Sequence, residues 1–92
     1  MKYENEITKL VSDDELLCDI ELTIGEIDAY EKLVQAHDFL SKDTDYQMTA
    51  RKWHGQQRDF YVRNLSERKK LLVSLHGLAN ERNLIIARGG DN

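Results

Sequence analysis

The chain has 92 residues, 40% hydrophobic and 33% charged, with a net charge of -4, no proline and five glycines. A length of this order fits one domain with a thin core, and this apolar content argues against a disordered chain. No apolar run approaches the roughly 18 residues that a membrane-spanning helix needs, and the single cysteine, Cys18, cannot form an internal disulfide.

A short amphipathic segment over residues 3–11 comes first, with Tyr3, Ile7, Leu10 and Val11 near helical spacing. Ser12-Asp13-Asp14-Glu15 then has capping-box spacing, and its acids suit the unpaired amides of a helix start. Beyond it Leu16, Leu17, Ile20, Ile24, Ile27, Tyr30 and Val34 fall in one arc at a hundred degrees per residue, a core face. Leu22, Leu33 and Leu40 form a second strip that needs another contact, from this chain or another subunit. Gly25 lies in this region and Thr23 with Glu26 repeats the capping-box spacing, but a helix running through Gly25 is the preferred reading.

The polar stretch Ser41-Lys42-Asp43-Thr44-Asp45 predicts a turn, with a loop near 41–47. A second helical region places Trp53, Gln57, Phe60 and Asn64 on one face with Tyr61 at its edge, and Leu71, Leu75, Leu78 and Arg82 continue it. Asn64 and Ser66 weaken the apolar stripe where a cap could form, so a joint is expected near 64–66. Leu84-Ile85-Ile86-Ala87 closes the structured chain, and residues 88–92 read as a frayed tail.

Charge is segregated along the chain. Residues 1–50 carry thirteen Asp/Glu against four Lys/Arg, whereas 51–70 carry seven Lys/Arg against two Asp/Glu. Pairing of an acidic with a basic helix accounts for this most simply, and such exposed pairs select a partner more than they stabilise it. On the wheel Arg51 and Arg58 lie opposite Trp53 and Phe60, with Lys52 and Arg63 to one side and Lys69 and Lys70 beyond. Arg51, Arg58, Arg63, Lys69 and Lys70 are therefore the candidate contacts to a partner, with Tyr61 added for its apolar ring and polar tip.

Catalytic and metal chemistry find little support. Cys18, His37, His54 and His76 lie more than fifteen residues apart at each step, without the short paired spacings of zinc or haem ligation. The carboxylates show no repeated Glu-x-x-His pattern, and no phosphate loop, dinucleotide fingerprint or serine elbow occurs. No metal, no cofactor and no enzymatic activity are expected.

Trp53-His54-Gly55, near the middle of a chain of about this length, resembles the Trp-x-Gly of the small helical-hairpin substrates of the specialised Gram-positive secretion pathway. That resemblance implies a secreted dimer with the tripeptide in the turn between two long helices. The chain departs from the pattern in its predicted turn at 41–45 and in having no tyrosine after Tyr61, where the family carries its export signal.

The residues together predict an all-α fold in a single domain, 1–92: a small helical bundle or long helical hairpin of three to four helices, with dimerisation as a means of completing its core. The expected function is that of a non-enzymatic regulatory or adaptor protein that binds another protein, inhibition being one form of this, with a homo-oligomer expected. Nucleic-acid binding through the basic 51–70 segment is the alternative. Met1 to Glu6 lack the basic flank and apolar stretch of a secretory signal, so a cytoplasmic location without membrane association is expected.

Overall fold

Thirty consecutive residues, Asp13–Lys42, form one helix (α1), and thirty-four more, Met48–Glu81, form a second (α2). This computed structural model describes residues 1–84, so Ile85 to Ala87 and the expected tail at 88–92 lie outside the described residues. The described residues are all-α, a small domain of two long helices in a hairpin, preceded by a 3-10 turn at Thr8–Leu10. No described helix is long and apolar enough to cross a membrane.

Local chemistry sets the helix bounds. Ser12 Oγ accepts from the Glu15 amide at 3.1 Å, and Asp13, Asp14 and Glu15 fill the first turn of α1. α1 runs through Gly25 as preferred, because Thr23 Oγ1 donates to the Asp19 carbonyl at 2.7 Å instead of capping a new helix. After Lys42, Asp43 Oδ1 accepts from the Asp45 amide at 2.9 Å and closes a tight turn. The connection spans 43–47, two residues shorter at its start than expected, since Ser41 and Lys42 complete α1.

The joint expected near 64–66 is absent. Asn64 Nδ2 donates to the Phe60 carbonyl at 2.9 Å, which satisfies the amide inside a continuous helix and leaves two long helices where three or four were expected. Just past the end of α2, Asn83 lies in the left-handed region with φ 59°, and the amides of Asn83 and Leu84 reach the carbonyls of Asn80 and Ala79 at 3.0 Å. This is the Schellman pattern, with asparagine in the position glycine usually takes.

Contacts divide the chain into two compact units. The first, Met1–Ile24 with the chain from Lys70 onward, holds the buried side chains Leu16, Ile20, Thr23, Leu78 and Ala79. Tyr3, Val11, Leu72, Leu75 and Leu84 pack around that cluster. The segment before α1 is strapped down by polar contacts rather than by an amphipathic helix: Ile7 and Leu10 are exposed, and only Tyr3 and Val11 reach the core. The Glu81 carboxylate accepts from the amides of Tyr3 and Glu4, the latter at 2.6 Å. Arg82, with its side chain 12% exposed, donates to Glu4 Oε1 at 3.0 Å, Asp13 Oδ1 at 3.0 Å and the carbonyls of Thr8 and Val11 at 2.8 Å. This guanidinium holds the Glu4 carboxyl below its usual pKa, and Glu4 in turn raises that of Arg82. The Tyr3 ring lies over Gly77, where a Cβ would collide with it.

The second unit, Gly25–Lys69, contains the turn and no buried residue. Its helices meet along half-buried rows at alternating spacings of three and four: Ile27, Tyr30, Val34, His37 and Ser41 on α1, and His54, Gln57, Tyr61, Asn64 and Arg68 on α2. That is a coiled-coil seam in spacing, but aromatic and polar in content.

Candidate protein-binding surface

The seam of the turn unit is built from ring contacts. His37 stacks on Tyr61 with centroids 5.6 Å apart and planes at 13°, and Tyr30 approaches the other ring of the pair at 5.7 Å. His37 Nδ1 and His54 Nδ1 lie 2.9 Å apart, one donating and the other accepting. Trp53 stands edge-on to His37 at 5.8 Å and to His54 at 4.9 Å. Beside these rings Asp38 accepts from Arg58 at 2.9 Å and from Lys42 at 3.1 Å, and Glu26 pairs with Arg68 at 3.2 Å. Lys42 and then Arg58 hold the Asp38 carboxyl below its ordinary pKa.

This geometry rotates α2 from the expected orientation. The wheel turned Trp53 and Phe60 towards the core with Arg51 and Arg58 on the opposite, exposed side. Instead Trp53 is 52% and Phe60 48% exposed, whereas Arg51, His54, Gln57, Arg58 and Tyr61 are all half-buried. The physical reason is that this seam satisfies histidines, tyrosines and ion pairs between helices, so apolar periodicity alone does not locate it. Arg51 Nε is buried without a hydrogen bond among the described residues, and Arg58 is committed to Asp38 and Asp59. Arg63 and Lys69 point outwards; Lys70 is also exposed but belongs to the first unit. Tyr61 sits in the seam rather than on an open edge. The six candidate contacts are therefore not one patch: Arg51, Arg58 and Tyr61 turn towards α1, while Arg63 and Lys69 do not.

Besides charged residues, the turn unit exposes apolar ones along one side. Leu33 is 36% exposed and, with half-buried Leu40, lies one turn from His37 on α1; Trp53 touches His37, and Phe60 stands edge-on to Tyr61 at 5.3 Å on α2. Of the expected strip Leu22, Leu33 and Leu40, the last two lie on the side that Trp53 and Phe60 line, while Leu22, also exposed, belongs to the first unit. A shallow open groove elsewhere in this unit is lined by Lys42, Arg51, Lys52 and Arg58, with Asp59 among them.

The His37–His54 pair was missed because the two lie seventeen residues apart. Reflecting α1 about the turn at 43–47 would have placed 37 opposite 53–54. No group of three or more His, Cys, Asp or Glu among the described residues is disposed to hold a metal ion. Trp53-His54-Gly55 lies inside α2, after its first turn, not in the connection between helices. Comparison with protein families, curated proteins and solved structures finds no match to this chain.

Proposed function

We propose that this chain is a non-enzymatic regulatory or adaptor protein that works by binding protein through the exposed apolar side of its turn unit. The observation that carries this reading is the combination of no buried residue between 25 and 69 with half-exposed Trp53, Phe60 and Leu33 on one side. Tryptophan and phenylalanine dominate interface energetics when a partner desolvates them, and an exposed apolar patch on so small a domain marks a contact site. Arg63, exposed on α2, serves in this reading as a steering charge, and a cytoplasmic location goes with it. Nucleic-acid binding is the weaker alternative, because Arg58 is neutralised by two aspartates and Arg51 is drawn into the seam.

Affinity capture with and without nuclease tests the choice. A protein retained after nuclease and lost with Trp53→Ala/Phe60→Ala is the expected outcome. Retention of a defined oligonucleotide with steep salt dependence, and of no nuclease-resistant protein, overturns the proposal.

A further inference from the structure

The seam of the turn unit contains a bond between two like groups. His37 Nδ1 and His54 Nδ1 face one another at 2.9 Å, and such a bond needs a proton on one nitrogen and a lone pair on the other. The pair keeps it with both rings neutral or with one of them charged. A proton on each makes both nitrogens donors and sets two positive charges against each other, so the rings must part. The face of Tyr61, stacked on His37 at 5.6 Å, suits one cationic ring. For a second charge the described neighbours offer no free anion. Asp38, next to His37 on α1, is taken by Arg58 and Lys42. The turn brings the Tyr46 ring to 6.0 Å from His54 and commits its Asp43 carboxylate to the Asp45 amide. On α2, Arg51 and Arg58 lie one turn to either side of His54, hence on its face. Both are cations, and Arg51 Nε has no hydrogen-bond partner among the described residues.

No core resists such a parting. Between 25 and 69 no residue is buried, whereas the first unit keeps its own cluster of Leu16, Ile20, Leu78 and Ala79. We propose that the His37–His54 pair is a pH-sensitive latch, whose second proton parts the helices of the turn unit while the first unit stays folded. The opened unit takes up a proton that the closed one refuses, so closure weakens as pH falls. Asp38 does not cause the change, because Lys42 and Arg58 hold its carboxyl below the ordinary pKa and it keeps its charge while the imidazoles gain theirs. Opening also releases Trp53, which stands edge-on to both rings at 5.8 and 4.9 Å. The latch thus places the apolar side of the unit under pH control, and it holds whether or not that side binds protein.

Hydrogen exchange of the full chain from about pH 7 to about pH 4.5, the range in which imidazoles gain protons, tests the latch. Protection factors of the amides from 54 to 61 should fall roughly tenfold across it while those of Leu16, Ile20 and Leu78 hold. The emission of Trp53, the sole tryptophan, should change in step. His54→Gln leaves His37 an acceptor in either charge state and should abolish the fall, and His37→Gln should do so from the other side. Turn-unit protection that follows the first unit throughout overturns the proposal. A fall that persists in both glutamine variants, each checked for helicity by circular dichroism at pH 7, also overturns it and assigns the change to other groups. Imidazole nitrogen chemical shifts in the unsubstituted chain need no variant. They should show the second proton arriving only as protection is lost, and two charged rings in a unit that stays protected would end the idea.

Discussion

The two units are built from the same pair of helices yet hold together by different means. The unit of residues 1–24 and 70 onward has a dry cluster around Leu16, Ile20, Leu78 and Ala79, closed by a strap that Glu81 and Arg82 fasten. The turn unit has histidine and tyrosine rings, ion pairs and no buried side chain. Burial of apolar area is the larger and less conditional contribution to stability, whereas part-exposed ion pairs contribute little. The first unit thus returns most of the apolar burial, and the second leaves more of its side chains in water.

The sharpest way to break this contrast is to remove one large side chain from each. Leu16→Ala should destabilise the chain by about 2–5 kcal/mol in chemical unfolding, as for other buried leucines, while Trp53→Ala in the monomer should cost about 1 kcal/mol because half of the ring is already in water. Equal losses would mean that the turn unit has a core after all. The glycines sharpen the same point with one substitution of opposite sign. Gly77→Ala drives a Cβ into the Tyr3 ring and should cost about 1–3 kcal/mol, with loss of protection at the Tyr3 amide in hydrogen exchange. Gly25→Ala meets open space and should raise stability by up to about 1 kcal/mol through helix propensity. A loss at Gly25 in the monomer would contradict the continuous, open helix described there.

The smallest expected effect is on acid stability. Glu4 in one unit and Asp38 in the other both have lowered carboxyl pKa values in the fold, Glu4 chiefly through Arg82 and Asp38 chiefly through Lys42. A lowered folded-state value means that the contribution is present above the unfolded value of about 4 and is lost as pH falls through the lowered one. Thermal melts between pH 5 and 2 should therefore show a decline that Glu4→Gln and Asp38→Asn each flatten. No change of slope in either variant would show that its ion pair does not couple to folding.

Helix content, the start at Ser12, continuity through Gly25 and the turn after residue 42 were legible because each rests on local chemistry or a long apolar arc. The face of α2 was legible only in part: Gln57, Asn64 and Tyr61 were placed on it or at its edge, but the seam also takes in His54 and Arg68, polar residues that an apolar wheel does not select, and leaves Trp53 and Phe60 half-exposed. Asn64 misled for a related reason, since a side chain able to cap can also bond four residues back within a helix. Nothing in periodicity forecast the strap, whose partners Tyr3 and Glu81 are seventy-eight positions apart. For the candidate surface, the Leu33/Leu40 strip was visible in advance, and its alignment with Trp53 and Phe60 became visible only once the ring contacts fixed the rotation of α2.

The strap between Tyr3 and Glu81 has a consequence for the order of folding. Closing the loop between His37 and His54 joins residues seventeen apart, whereas joining Tyr3 to Glu81 spans seventy-eight. On loop-entropy scaling the longer closure costs about 1.3 kcal/mol more, so the hairpin zips from its turn. The turn unit, however, returns the least apolar burial. Early pairing near the turn is then poorly rewarded, and most of the apolar burial is returned only when Leu16 and Ile20 meet Leu78 and Ala79.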